Sequence, residues 1–380
     1  MKNGIIIIGG HVQALGIMRI FGEENIPVII CDNQKFNICK HSKYCSEFFI
    51  YKKESLLEFL LSENMIKNYK NWLIFPTDDS EVELISKNKI KLQKKYKLST
   101  CDWHIISNFY NKINTYKICD KIGIDIPYTV YPDDLNSLKS MEFTYPVIIK
   151  PAVMHTFYKK IKKKVFLCRS KNELIKNYLK ASKAIPLNEI MIQEIIKGSS
   201  ENQFSACFYF SNKNSLVSLL AKRKRQHPLD FGNATTFAET VNHPIEIYDN
   251  AKKLLSYVNY DGFAEVEFKK DSSRNKFYLL EVNPRTWKWH SISKYSDSPF
   301  LLSMYNNKYF EKPIISNSWK KAYFKHLLTD IPISILMFLK GIYIKGKKNY
   351  SKTVYAVWDI RDFKPFIFEL LYLPYFYFKR

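Results

Sequence analysis

The chain has 380 residues, and 59 Lys+Arg against 36 Asp+Glu give it a formal net charge of +23. With 46% hydrophobic and 16% aromatic residues it can bury real cores, and 11 Gly and 15 Pro are too few for a collagen-like or low-complexity chain, so intrinsic disorder is excluded for most of its length. A prior of about 150 residues per domain sets an expectation of two or three domains, and the charge raises a nucleic-acid or membrane partner.

Met1-Lys2-Asn3-Gly4 and the four isoleucines after it lack the longer apolar region and small-residue cleavage site of a signal peptide. Ile5 to Ile8, closed by Gly9-Gly10, reads instead as a buried parallel strand. A helix over 13–24 and a strand over 28–31 running into Asp32 complete a strand–helix–strand unit. Gly9-Gly10 with Gly16 lacks the GxGxxG spacing and is weak as a dinucleotide signal. Ser55-Leu56-Leu57-Glu58 spells a capping box, and 73–75 is a short strand entering Pro76-Thr77-Asp78-Asp79. This first α/β domain ends near 101–106.

From Ser107 a helix is expected to carry Lys112 and Lys117 and to stop near Gly123. A strand over 146–151 ends in Lys150-Pro151, a lysine-dense loop covers 159–164, and a strand follows over 165–168. Ser170-Lys171-Asn172-Glu173 is a second capping box. Further strands are expected over 191–196, 204–210 and 216–221, a helix over 246–258, and a hairpin of 264–269 with 277–282. The fold class is α/β followed by α+β. Seven scattered cysteines without a CxxC pair suit a reducing cytosol and neither a disulfide framework nor a zinc site. No apolar run approaches the roughly 20 residues of a spanning helix. The aromatic tail 363–378 has two readings: a segment lying on a membrane surface, or one docking on its own domain.

The chemistry concentrates between 260 and 290. Glu267 on one hairpin strand and Glu281 on the other, with Asn283 two residues on, form an oxygen-only ligand set suited to Mg²⁺. Period-2 alternation puts Glu281 and Asn283 on one face, where Arg285 could grip a phosphate. The competing reading is a pair of solvated strand carboxylates, which the tight Glu-x-Asn-Pro-Arg run disfavours.

Glu281-Val282-Asn283-Pro284-Arg285, preceded by Glu267, resembles the magnesium and phosphate signature of the ATP-grasp superfamily. Upstream, Lys112 and Lys150 resemble its two nucleotide lysines, Gln193-Glu194-Ile195-Ile196 its adenine hinge, and Glu201 its ribose carboxylate. Arg223, Arg225 and Gly232-Asn233-Ala234-Thr235-Thr236 look like its substrate- and phosphate-facing segment. The loop after Lys150 departs from the pattern, with lysines where many members carry glycines. The aromatic run Trp287-Lys288-Trp289-His290 is closest to the D-aspartate-ligase-like branch; it would line an acceptor pocket or pack in a core, with His290 read as structural.

The resemblance implies an open parallel α/β domain (1–106), two ATP-grasp subdomains (107–185 and 186–310) and a basic aromatic extension (311–380). It also implies an ATP-dependent carboxylate–amine ligase acting through an acyl phosphate, with cell-wall or surface-glycan modification as the setting. Glu267, Glu281 and Asn283 would hold Mg²⁺, with Mn²⁺ as an alternative; Lys112, Lys150, Gln193, Glu194, Ile195, Ile196 and Glu201 would hold ATP; Arg285, Arg225 and Lys150 would be catalytic. Partners are then ATP and small acids and amines, not nucleic acid, with peripheral contact to an anionic membrane or lipid-linked substrate admitted and a dimer compatible. The expected location is the cytoplasm, including the inner face of the membrane. The alternatives are another ATP-grasp reaction, kinase or carboxylase-like, and a non-catalytic basic binding protein.

Overall fold

Ile5–Ile8 is a strand with every side chain buried: Ile5 and Ile7 join one apolar cluster, Ile6 and Ile8 another. Successive side chains of a strand point to opposite faces, so an unbroken isoleucine run marks a strand covered on both sides. Full burial contributes about 1.5–3 kcal/mol per such side chain, which makes this strand the anchor of its sheet. In the computed structural model it is the centre of a five-stranded parallel sheet in the order Cys45–Ile50, Val28–Asp32, Ile5–Ile8, Leu73–Pro76, Lys97–Leu98. Gly9 sits at φ +96°, and a Cβ on it would lie 2.2 Å from Thr77 Oγ1. The positive φ and this close approach account for a glycine there.

The structure describes residues 3–52, 55–229, 234–342 and 352–375. They divide into two units, one of Met1–Ile106, Ser199–Glu265 and Asn283–Arg380, the other of Ser107–Gly198 and Val266–Val282. The mixed α/β class expected from the sequence is present in both.

In the first unit the five-stranded sheet is joined by the strands Gln203–Ser211, Asn214–His227, Ala234–Thr240, Tyr323–Lys325 and Thr353–Tyr355 of a second sheet. Gly262–Asp271 and Lys276–Asn283 follow Gln203–Ser211 at its other edge, and the chain passes along these two strands from one unit to the other. The capping box at Ser55 does not form: its hydroxyl donates to Lys52 O, and Leu56–Leu60 starts without a side-chain cap. A box forms instead at Asp78, which accepts from Glu81 N while the Glu81 carboxylate accepts from Asp78 N. The tail docks on its own unit: Phe368 stacks on His41, and Asp362 accepts from Arg19 Nε at 2.9 Å, Ser42 Oγ at 2.7 Å and Lys43 N at 2.9 Å. Residues 376–378 of that expectation, with 379–380, lie outside the described residues.

The second unit holds an antiparallel sheet in the order Thr129–Val130, Ile190–Glu194, Val147–Pro151, Phe166–Cys168. Its core packs Leu174, Tyr178 and Ala181 of helix Lys171–Ser182 against Val147, Ile149 and Ile192. Ser170 caps that helix by accepting from Glu173 N, but the Glu173 carboxylate reaches Arg169 N rather than Ser170 N, so the expected box is half made. Two further expectations are corrected. The single helix from Ser107 is broken at Asn111, so Lys112 is the first residue of its own helix, Lys112–Ile122, closed by Gly123 at φ +69°. The lysine-dense loop begins as a helix, Met154–Ile161, because Phe157 at its centre is fully buried. Among the described residues, no helix is long and apolar enough to cross a membrane.

Candidate active site

Within the second unit the fold brings together Lys112, Lys150, Gln193 and Glu281, which stand far apart in the chain. Asn111 caps helix Lys112–Ile122 by accepting from Ile113 N at 2.9 Å, and Lys112 N donates to Ala152 O at 3.0 Å, which seats Lys112 beside the end of the Lys150 strand. Lys112 Nζ lies 2.9 Å from Glu281 Oε2. Lys150, only 7% exposed, donates from Nζ to Tyr116 Oη at 2.8 Å. Tyr116 donates onward to Leu280 O at 3.0 Å and accepts from Gln193 Nε2 at 3.1 Å, while Gln193 also donates to Thr129 Oγ1 at 2.7 Å. Tyr116 is thus the buried hub that holds the lysine against the strand carrying Glu281. Nothing in the sequence flagged it, because a lone helical tyrosine looks like any core aromatic.

The electrostatics follow from this packing. Burial, and next the neighbouring Lys112 charge, lower Lys150 to about 7, with Glu281 opposing. Lys112 holds the Glu281 carboxyl down at about 2 against the cost of burial. Two lysines share one carboxylate, so an arriving polyphosphate would find uncompensated positive charge and favour the Lys150 ammonium form. Above pH 7 that form requires proton uptake on binding. Affinity for ADP is therefore expected to fall by up to about tenfold per pH unit between pH ~7.5 and ~9, with matching proton uptake in calorimetry. Lys150→Met should flatten the dependence; an unchanged slope in that variant would remove Lys150 from the site. The same depressed value makes the ligand-free protein gain stability as pH rises from about 7 towards 10.5, where only the unfolded chain holds the proton.

In the first unit, Asn283 closes strand Lys276–Asn283 and donates from Nδ2 to Glu265 Oε2 at 3.0 Å; Ser205 Oγ donates to Glu265 Oε1 at 3.0 Å. Arg285 lies beyond the strand, in a turn closed by Arg285 N donating to Asn283 O. Its guanidinium reaches Asp79 Oδ1 at 2.7 Å, Thr286 O at 3.0 Å and Asn283 Oδ1 at 3.4 Å. Glu265 escaped the sequence reading, yet it stands two residues before Glu267 and so on the same face of strand Gly262–Asp271. Both carboxylates are buried.

Four of the expected residues are paired with other protein groups in the structure. Arg225 makes a two-pronged ion pair with Asp330, Nε to Oδ1 at 2.8 Å and Nη2 to Oδ2 at 2.6 Å, and lies over the Phe237 ring. A half-buried guanidinium held by both prongs in this way is tied to its sheet and not poised toward an acyl phosphate. Glu201 pairs with Lys224 and stands 3.7 Å from Lys222. Glu194 accepts from Tyr128 N and Arg274, so its side chain is structural too; of its hinge neighbours, Ile196 is buried and Ile195 half-buried. Arg223 donates to Gln203 and Gln226. Gly232 and Asn233 of the expected phosphate-facing segment lie outside the described residues. Trp287 and Trp289 pack in the main core of their unit, and His290 is buried, with Nδ1 2.8 Å from Trp287 O. The core reading of that aromatic run holds.

Among the described residues no cluster of three or more His, Cys, Asp or Glu is gathered for a metal, and Glu281, one of the expected ligands, is paired with Lys112. Two carboxylates and an amide oxygen are the chemistry of a hard divalent ion that keeps other oxygens as its remaining ligands.

In fold and in part of its sequence the chain is similar to nucleotide-binding proteins of the ATP-grasp type. Residues 132–296 match the family model of the carbamoyl-phosphate synthase L chain ATP-binding domain. A D-aspartate ligase from Enterococcus faecium is 21% identical over 271 residues, 68% of this chain; the chain spans 64% of that ligase's length. Among solved structures, the biotin carboxylase domain dimer of Hydrogenobacter thermophilus 2-oxoglutarate carboxylase, bound to MgADP, ADP and bicarbonate, superposes with a TM-score of 0.66 at 16% identity, covering 85% of this chain and 73% of that one. The ADP complex of N5-carboxyaminoimidazole ribonucleotide synthetase superposes with a TM-score of 0.66 at 15% identity, covering 92% and 89%. The ATP-grasp resemblance and fold class read from the sequence are borne out.

Proposed function

We propose that this chain is an ATP-dependent carboxylate–amine ligase. The observation that carries the reading is the Lys112–Glu281 pair beside Lys150 on Tyr116, a preset anion site inside a chain that matches an ATP-binding domain; the likeness to D-aspartate ligase supports the acid–amine chemistry.

A carboxylate is a poor electrophile. In this reading a carboxylate oxygen of the acid attacks the γ-phosphorus of ATP and ADP leaves, giving an acyl phosphate. The amine nitrogen then attacks the acyl carbon, the C–O bond to phosphate breaks, and the amine loses a proton. Little covalent work falls to the protein, whose task is positioning and charge neutralisation. Lys112 and Lys150 take the phosphates, 193–196 the adenine, and Glu201 the ribose once Lys224 releases it. Glu267, Glu281 and Asn283 would hold Mg²⁺, or Mn²⁺, which offsets charge on the transferring phosphoryl group. Arg285 meets the charge developing there, and Arg225 supports the sheet. The proposal keeps 1–106 as the substrate-side α/β domain, 107–185 and 186–310 as the ATP-grasp subdomains and 311–380 as an extension. It includes a cytoplasmic setting at the inner face of the membrane, where cell-wall or surface-glycan precursors carry the acceptor.

The test is a matrix of amino acids and other acids against amines, read by ADP, free phosphate and product mass. ADP and phosphate are expected only where both an acid and an amine are present. ADP formed with an acid alone, together with a stable phosphorylated product, would instead make the protein a kinase.

A further inference from the structure

The turn that carries Arg285 is fastened by two side chains from the parallel sheet of the same unit. Gln13, 3% exposed, spends both amide protons on Thr286, donating from Nε2 to Thr286 O at 2.7 Å and to Thr286 Oγ1 at 2.6 Å. Asp79 accepts from Arg285 Nε at 2.7 Å. Gln13 lies in the first turn of helix Val12–Glu23, just after strand Ile5–Ile8, and Asp79 opens helix Asp79–Lys87, just after strand Leu73–Pro76. Those strands are parallel neighbours, and Val28–Asp32 lies on the other side of the first. Where the strand order reverses in this way, the carboxyl ends of the two strands form the crevice in which open α/β sheets hold ligands.

The fastening leaves part of the guanidinium open. An arginine side chain has five N–H donors. Arg285 gives Nε–H to Asp79, one Nη1–H to Thr286 O at 3.0 Å and one Nη2–H to Asn283 Oδ1 at 3.4 Å, so one N–H on each terminal nitrogen meets no acceptor among the described residues. Two such donors match two oxygens of one phosphate. The Asp79 contact adds little to folding, because the Asp79 side chain is 45% exposed and exposed ion pairs are weak. Its helix is capped without it, by the box of Asp78 and Glu81. What the contact controls is the direction of the guanidinium. We propose that Asp79 is a positioning residue: with Gln13 holding the turn, it fixes Arg285 so that the two terminal N–H groups face the γ-phosphate of a nucleoside triphosphate. This role deepens the ligase reading and rests on it for the phosphate that meets Arg285.

The test compares, on the full chain with Mg²⁺, the affinities for ADP and for the non-hydrolysable ATP analogue AMP-PNP. The wild type is expected to bind AMP-PNP more tightly than ADP. Asp79→Ala should weaken AMP-PNP by about tenfold while ADP affinity and the thermal melt stay as in the wild type. Arg285→Ala should lose the AMP-PNP preference by itself, and Asp79→Ala/Arg285→Ala should bind no more weakly than Arg285→Ala, since Asp79 acts only through that arginine. Unchanged AMP-PNP affinity in Asp79→Ala, or additive losses in the double variant, would overturn the proposal. So would an equal loss of ADP affinity or a lowered melt in Asp79→Ala, which would make the pair structural, and so would a wild type without the AMP-PNP preference. The ligase reading is decided by the acid–amine matrix, so its failure there would leave a measured nucleotide preference and the part of Asp79 in it standing, and the reverse.

Discussion

Glu281→Gln is expected to abolish ATP turnover, lowering ADP formation by at least about 10²-fold, while the protein remains folded. The glutamine keeps the size of the side chain and one acceptor for Lys112 Nζ, now 2.9 Å from Glu281 Oε2, so the hinge between strand and helix survives. What disappears is the single negative charge facing two lysines. Without it Lys150, already depressed to about 7 by burial and by Lys112, is pushed lower and is neutral at working pH. The proposed cation loses a carboxylate ligand in the same step. The measurement is ADP release under the acid–amine pair that the substrate matrix finds, alongside a thermal melt. Near wild-type turnover in this variant would remove Glu281 from the machinery.

The largest loss of stability is expected from Asp362→Ala. Asp362 is 4% exposed and Arg19 8% exposed, and the aspartate accepts from Arg19, Ser42 and Lys43 while Arg19 also donates to Val357 O and to Asp362 O. Removing the carboxylate leaves a buried guanidinium with backbone partners but no countercharge, which costs about 3–5 kcal/mol. Because the pair joins the first helix of the parallel sheet to the carboxyl-terminal segment, the loss should appear in denaturant unfolding as a detached tail or a shifted midpoint. Replacing both partners, as in Arg19→Met/Asp362→Leu, should recover much of it, since no charge is then stranded. A loss below about 1 kcal/mol in the single variant would mean that the pair is as weak as an exposed one.

The early α/β domain was legible because its determinants are local: four isoleucines in a row and a helix between strands state their burial directly. The Lys–Pro strand ending at 151 and the Glu-x-Asn-Pro-Arg hairpin were legible for the same reason, as unusual residues at fixed offsets. The misreadings were also physical. Ser55 had the letters of a capping box, but its hydroxyl found Lys52 O closer at hand. Lys159 and Lys160 masked the end of a helix whose buried residue is Phe157. Arg225 carried the right charge for a substrate contact, yet its partner, Asp330, lies 105 residues away and no spacing rule connects them.

The same division runs through the site. Residue type and short spacing were enough for the ATP-grasp resemblance, the oxygen-only donor set and the excess of basic charge, because each is a property of a few neighbouring residues. The grouping of Lys112 with Glu281, the role of Tyr116 beneath Lys150, the second carboxylate at Glu265 and the hold of Asp79 and Gln13 on the Arg285 turn are of another kind. They depend on which distant segments pack together. Desolvation and charge proximity, which depress Lys150 and hold Glu281 ionised, arise only in the folded chain.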